Sequence, residues 1–349
     1  MAGLAGLLAL AAVLAGCGRQ EGAATDGGDR QLPVSESYFI FDTLVSVRVY
    51  DEGVTSAHFA EIKRLLETID RQMNRQLEDS ELDLVNRQAG TGTAVPVSEQ
   101  TFHVVDTALR YAEASEGAFE LTIGPLVDLW GIGNEGARVP APEEIEQALA
   151  AVDYRRVELD PAALTIELLD PGMSLDLGAI AKGYAADVVA AYLKEEGFKS
   201  AIIDLGGNIL AMGGKPGGSP WTVGIQDPSE KRGEHIGLLR VTDKTIVTSG
   251  VYERYFVEDG VAYHHIFDRN TGYPVNNGLL SVTIVTDRSI DADAMSTVAF
   301  SLGVEKGAAF VEERDGMEAL FITTDGDVYV TSGLRDRFEL TDENYRLVK

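Results

Sequence analysis

Asp291-Ala-Asp-Ala-Met-Ser-Thr297, continued by Val298-Ala-Phe-Ser-Leu-Gly303, is the stretch around which the rest of the chain is read. If it opens a helix, Asp293 and Thr297 stand at i and i+4 and present a carboxylate and a hydroxyl to one point in space. Such a pair suits a hard cation: Mg²⁺ takes oxygen ligands, keeps several waters, and is usually held by one or two carboxylates plus substrate phosphates. The plainer reading is that Asp291 or Asp293 is an N-cap, with Ser296 and Thr297 ordinary polar helix positions. The other segments have to choose between the two.

The 349 residues are 45% apolar, enough for a large core in one or two domains. Lys and Arg total 29 against 56 Asp and Glu, giving a formal charge of -27 and no basic stripe that could track a nucleic-acid backbone. Nucleic-acid binding is therefore excluded as an expectation. The same acidity repels anionic substrates, so a phosphate-bearing ligand needs a local cation to enter.

The only cysteine, Cys17, excludes an internal disulfide and a cysteine-rich zinc site. It follows an apolar Leu/Ala run from Met1 to Ala15, too short to span a bilayer comfortably. Leu14-Ala15-Gly16-Cys17 resembles a bacterial lipobox, in which the signal is cut before the cysteine and the thiol is acylated. No Lys or Arg precedes the run, so the true start is expected a few residues upstream. The expected organisation is a signal peptide over 1–16, a flexible Gly-rich tether over 17–35 and a folded domain over 36–349. The protein is then expected to be exported and held on the outer face of the bacterial inner membrane by a lipid anchor at Cys17.

Along the chain, Tyr38 to Tyr50 reads as one strand with Phe41-Asp42-Thr43 inside it. Ala57 to Met73 and Val97 to Ala114 have helical spacing, and Ser80 to Asn86 starts a short helical turn. Ser115 to Gly133 is an apolar loop broken by Gly and Pro, with a short helix. A helix after Pro142 and a hairpin over Tyr154 to Leu169 follow. Then come a helix reaching Lys194 and a strand over Ser200 to Asp204 that ends in Leu205-Gly-Gly-Asn208. Strands are expected at Trp221 to Ile225, Ile236 to Val241, Thr245 to Ser249, Ser281 to Thr286 and Ala319 to Thr323, with a hairpin about Glu258-Asp-Gly260. A helix over Val304 to Arg314 and a hairpin at Asp325-Gly-Asp327 complete the pattern. Without repeats or a second linker, the expectation is an α+β body with mixed sheets.

Asp176-Leu-Gly-Ala-Ile-Ala-Lys-Gly183 puts small residues ahead of a helix, where backbone groups can approach a ligand closely or simply pack tightly. His264 and His265 face opposite sides of an alternating strand, so only one of them can reach a shared site. A histidine there is either a general base toward a hydroxyl or a hydrogen-bonded loop anchor. Gly-x-Ser-x-Gly, His-Glu-x-x-His and the Gly-x-x-x-x-Gly-Lys-Ser/Thr loop are all missing, which sets aside the common hydrolase and P-loop readings.

Ser80-Glu-Leu82 with Asn86, Gly117-Ala-Phe119, Gly124-Pro-Leu with Leu129-Trp-Gly131, Leu175 to Gly183, Asp204-Leu-Gly-Gly-Asn208, Thr248-Ser-Gly250, His265-Ile-Phe-Asp268, Thr271-Gly272 and Asp293-Ala-Met-Ser-Thr297 occur in this order. Together they resemble the ApbE family of FAD:protein FMN transferases over about residues 36 to 345. The resemblance implies a T-fold-like α+β, Mg²⁺-dependent, often lipid-anchored bacterial enzyme. Such an enzyme cleaves the FAD pyrophosphate and attaches FMN to a Thr or Ser hydroxyl, releasing AMP. The implied acceptor is a flavoprotein subunit of a membrane redox complex or another exported flavoprotein.

Carried over residue by residue, the resemblance implies a metal held by Asp293, Thr297 and the backbone carbonyl of Ala179. It implies FAD along Phe41, Gln76, the Gly117-Ala118-Phe119-Glu120 loop, Asp176, Lys182 and Phe267, with His265 as the candidate base. Phe41-Asp42-Thr43 departs from the family's frequent Met-Gly-Thr, Gln76 from a frequent aromatic and Glu120 from a frequent Asp. Two other outcomes are compatible with a flavin site: an FAD pyrophosphatase yielding FMN and AMP, or a lipoprotein that binds FAD without chemistry.

Overall fold

The computed structural model describes residues 32 to 348, and Pro33–Lys349 forms one compact unit. The expected signal peptide, Cys17 and nearly all of the expected tether lie outside the described residues. Among those residues, no helix is long and apolar enough to cross a membrane.

In chain order the elements begin with strands β1 (Val34–Ile40) and β2 (Thr43–Val49), then helices α1 (Ser56–Met73) and α2 (Glu81–Arg87). Next are β3 (Val95–Pro96), α3 (Glu99–Ala114), α4 (Gly124–Trp130), α5 (Pro142–Leu149), β4 (Val157–Asp160) and β5 (Thr165–Leu168). The middle of the chain holds α6 (Ala181–Glu195), β6 (Ala201–Leu205), β7 (Asn208–Met212), β8 (Trp221–Gln226), β9 (His235–Val241) and β10 (Lys244–Gly250). After β11 (Tyr255–Glu258), β12 (Val261–His264) and β13 (Leu279–Thr286) comes α7 (Ser289–Glu312). The chain closes with β14 (Glu318–Thr323), β15 (Asp327–Val330), β16 (Phe338–Leu340) and β17 (Arg346–Val348).

Nine strands form the central sheet in the order β1-β2-β6-β7-β10-β13-β14-β15-β17. Every pairing in it is antiparallel except β15 with β17, which makes the sheet mixed. Its inner strands are covered on both faces, which is why they read as near-continuous apolar runs. Val247, Ile284 and Phe321 join the core under α1, α3, α6 and α7. Their neighbours Ile246, Val285 and Leu320 face the other way, into a second core closed by β8, β9 and β16. The α+β class expected from the sequence is the class observed.

One local expectation is corrected. Phe41-Asp42 does not lie inside a strand but forms the tip of the β1–β2 hairpin, in which Ile40 pairs with Thr43. Both tip residues take left-handed backbone angles, φ 57° and 55°, the geometry of a type I′ turn built without glycine. Leu205-Gly-Gly-Asn208 ends β6 as expected, and it turns the chain directly into β7, a strand not expected from the sequence. The helix expected to open around Asp291 and the helix expected from Val304 both form: the first starts at Ser289, and the two meet at Gly303, whose non-helical angles (φ 79°, ψ 178°) kink α7.

Candidate active site

The segment before α6 is held from both sides. Asn86 of α2 clamps Leu175 through two bonds: its Nδ2 donates to the Leu175 carbonyl at 3.1 Å, and its Oδ1 accepts from the Leu175 N–H at 2.7 Å. The clamp sets up a turn in which Asp176 Oδ1 accepts from the Gly178 N–H at 2.8 Å and Lys182 Nζ donates to the Gly178 carbonyl at 2.8 Å. Arg75, just beyond α1, donates to Ser174 Oγ and to both oxygens of Asp128, and its Nε stands 3.9 Å from Asp176 Oδ2.

Helices α6 and α7 meet where Gly183 has no side chain. A Cβ there would lie 2.2 Å from the Ser289 carbonyl oxygen and 2.8 Å from Asp293 Cβ. The contact lets the Gly183 N–H donate to Asp293 Oδ2 at 2.8 Å. Gly183 stands in the first turn of α6, where an N–H has no intrahelical acceptor, so the carboxylate satisfies a donor the helix leaves open. The Ala179 carbonyl, just ahead of the helix, has no backbone donor among the described residues.

Asp293 is buried, and burial pushes its carboxyl pKa up while Lys182, 3.9 Å away, pulls it down. Thr297, one turn on, is half-buried, and its hydroxyl makes no hydrogen bond among the described residues. Ser296 is fixed instead, donating to the Asp293 carbonyl and sharing a 2.7 Å bond with Ser249 at the end of β10. A buried carboxylate, an unpartnered carbonyl and an unpartnered hydroxyl suit a small hard cation. Among the described residues no three His, Cys, Asp or Glu groups converge. A cation here would thus have one protein carboxylate and keep positions for water and phosphate oxygens, and the residues present fit it.

Asp291 does not cap α7. It accepts from Tyr111 Oη at 3.1 Å, whereas the first N–H groups of the helix, Ser289 and Ile290, donate to the two oxygens of Asp187 at 2.8 and 2.9 Å. The cap comes from α6, so the sequence before the helix carries no trace of it. Asp293 consequently sits in the second turn and is left free of capping duty.

The two histidines separate as strand alternation requires. His264 is buried with both nitrogens engaged: Nε2 faces the Val275 carbonyl at 2.8 Å, and Nδ1 accepts from the Ile266 N–H at 3.2 Å. Among the described residues His265 has one ring partner, the Arg254 carbonyl, 3.2 Å from Nδ1. A carbonyl only accepts, so Nδ1 carries the proton and Nε2 keeps a free lone pair. Burial, followed by the Arg254, His264 and Lys182 charges, brings the imidazole down to about 4.

The other expected flavin residues are placed as follows. Gly117 lies under Arg269, whose Nη1 would stand 2.2 Å from a Cβ at that position. Ala118 is half-buried, and the Phe119 ring is in the core near Tyr111, so only the backbone of Phe119 can face a ligand. Glu120 is turned inward: it accepts from the N–H and hydroxyl of Thr122, the Tyr154 N–H and Arg269, and burial pushes its carboxyl up. Phe267 packs 5.9 Å from Trp130, in a cluster with Phe256 and Tyr263. Phe41 rests on the main core, and Gln76 is exposed just after α1. Asp42 lies near enough to Asp70 of α1 to help raise that carboxyl.

Asp293, Lys182, Asp176 and Ala179 are thus brought together, with His265 close enough to feel the Lys182 charge. Arg75, Asp187 and Arg269 were not singled out from sequence as site-building residues. No spacing rule marks any of the three.

Residues 41–321 match the ApbE family. The chain is 38% identical over 354 residues to the FAD:protein FMN transferase of Treponema pallidum, covering 97% of this chain and 96% of that protein. It is 39% identical over 307 residues to the FAD:protein FMN transferase of Klebsiella pneumoniae, covering 87% and 93%. The ApbE protein of Thermotoga maritima superposes with a TM-score of 0.80 at 32% identity, covering 87% of this chain and 99% of that one. The flavin transferase ApbE of Vibrio cholerae does so at 0.79 and 31% identity, with the same coverage. The chain belongs to the ApbE family.

Proposed function

We propose that this chain is an FAD:protein FMN transferase that depends on Mg²⁺. The acceptor is a Ser or Thr hydroxyl of an exported flavoprotein, such as a subunit of a membrane redox complex. The observation that carries the metal-dependent reading is the Gly183 N–H bond that fixes the buried Asp293 carboxylate, together with an Ala179 carbonyl left without a backbone donor among the described residues. Full-length similarity to proteins named for this reaction supports the transfer itself.

Asp293, Thr297 and the Ala179 carbonyl would hold the cation. When bound it neutralises pyrophosphate oxygens and polarises phosphorus, the contribution an acidic protein most needs. Lys182 supplies a second positive charge at the same place, and the Asp176–Gly178 turn presents backbone to the ligand. His265 Nε2 takes the proton of the acceptor hydroxyl as its oxygen bonds to the phosphorus on the FMN side. The bridging P–O bond breaks and AMP leaves, so FMN ends as a phosphoester on the acceptor. Glu120, Arg269 and the Phe267 cluster shape the flavin side rather than reacting. The Leu14 to Cys17 tetrad supports a further proposal, that the enzyme works at the outer face of the inner membrane, held by a lipid on Cys17.

The test is incubation of the soluble domain with FAD and Mg²⁺, with and without the soluble domain of an exported redox subunit from the same genome. In-gel flavin fluorescence on the acceptor is the expected result. AMP release without labelling would replace the reading by FAD hydrolysis, and neither product would leave binding alone.

A further inference from the structure

We propose that Asn277 is a positioning residue for the reaction: it ties the segment carrying His265 to α7 and so fixes the imidazole relative to the Asp293 carboxylate. The inference rests on the reading of His265 as the base and of Asp293 as a metal ligand.

His265 belongs to a loop that folds back on itself. Past it the chain turns at Asp268, whose N–H donates to the Tyr273 carbonyl at 2.8 Å. On the return Pro274 bridges Phe267, and the Val275 N–H donates to the Ile266 carbonyl at 2.9 Å. His264 fastens the same two limbs. Its Nδ1 accepts from the Ile266 N–H, so Nε2 carries the proton and donates to the Val275 carbonyl. Whatever holds the return limb therefore also holds the His265 backbone.

That limb is held at Asn277, which uses both ends of its amide. Nδ2 donates to the Phe300 carbonyl at 2.6 Å, and Oδ1 accepts from the Leu279 N–H at 3.2 Å. One partner can only accept and the other only donate, which settles the orientation of the amide. Phe300 continues the stripe begun by Asp293 and Thr297, the three standing at i, i+4 and i+7 on one face of α7. Its ring, buried in the main core, meets the His264 ring edge-on at 5.7 Å. Among the described residues, the Asn277–Phe300 bond is the only hydrogen bond between residues 264–278 and α7. The helix face that presents the carboxylate and the Thr297 hydroxyl thus also anchors the loop of the base. Proton transfer depends on such an anchor, since a displacement of about 1 Å can cost a hundredfold in rate.

Asn277→Ala removes the tie. Asn277→Asp keeps the size and the Leu279 bond but sets an oxygen against the Phe300 carbonyl. Both are made in the full chain, with His265 present and in the His265→Gln background. With His265 present, kcat for labelling the acceptor domain named above is expected to fall about tenfold or more. KM for FAD, and Mg²⁺ affinity measured by calorimetry, are expected at wild-type values. In the His265→Gln background the same changes are expected to move kcat by less than about twofold, because no imidazole is left to misplace. Loss of a merely stabilising bond would slow both backgrounds alike, and that equal loss overturns the proposal. Wild-type kcat in both variants does so too, as does a fall in Mg²⁺ affinity that matches the fall in kcat and places the damage in α7. A His265→Gln chain as fast as wild type overturns the base reading and the proposal with it. If the wild-type chain labels no acceptor, the transfer reading fails by itself, and AMP release from the same chains decides whether Asn277 acts through His265.

Discussion

The Gly183 N–H and the Asp293 carboxylate are joined by a 2.8 Å hydrogen bond at a point where the helices carrying them leave no space for a methyl group. Position and charge are therefore set by one contact. Asp293→Ala is expected to cut Mg²⁺-dependent AMP release by about a hundredfold or more, the scale of losing several kcal/mol of charge stabilisation. A wild-type rate from this variant, measured across a Mg²⁺ titration, removes Asp293 from the metal site.

Gly183→Ala probes the same contact from the other helix. The new Cβ meets backbone, which cannot swing aside, so the helices must separate at a cost of about 3 kcal/mol. Thermal unfolding should show a lowered Tm, and Mg²⁺ affinity should fall with it because Asp293 loses its anchor. A fully active, equally stable variant would mean that the two helices accommodate a methyl group at this contact and that it does not anchor Asp293.

His265→Gln removes the free Nε2 lone pair while keeping a side chain of similar reach. Labelling of the acceptor is expected to drop by about 10²- to 10⁴-fold while FAD binding persists. The His264→Gln control should instead lower stability, since both of its ring nitrogens hold backbone.

The pH dependence of His265 follows from the direction of its shift. An unfolded imidazole titrates near 6.5, and this one is held down to about 4. Between those values the unfolded chain takes up a proton that the folded chain refuses, so this group's share of stability is intact above 6.5 and is lost as pH falls toward 4. The base itself stays unprotonated through the same window. An acid limb of kcat/KM due to His265 should lie near 4, and a limb near 6.5 that vanishes in His265→Gln would contradict the shift.

Asp187→Ala should destabilise the protein by about 1 to 2 kcal/mol, because two N–H groups at the start of α7 lose their acceptor together. An unchanged melting temperature would show that water replaces the carboxylate without loss.

Much of the scaffold was legible. Inner strands such as Ser281 to Thr286 announce themselves by apolar runs, and the i, i+4 spacing of Asp293 and Thr297 needs only a helix to be true. What the sequence concealed were decisions made across distance. A two-residue turn built from Phe41 and Asp42 carries no Gly or Asn signal, so the hairpin looked like one strand. Asp187 caps a helix whose first residue lies 102 positions later, which no local cap rule can see. Glu120 was expected among the flavin residues, yet its oxygens are taken by Thr122, Tyr154 and Arg269, a fact of packing rather than of spacing.

The proposed base and the proposed metal ligands are mounted on different supports. Asp293 is built into a helix packed on the nine-stranded sheet, while His265 ends a narrow ribbon seated on Trp130. Loosening that seat would let proton abstraction fall out of step with phosphate activation, and an enzyme so altered would drift from group transfer toward wasteful hydrolysis of its own substrate. A change at the aromatic seat would thus reach the imidazole while leaving the Asp293 carboxylate in place.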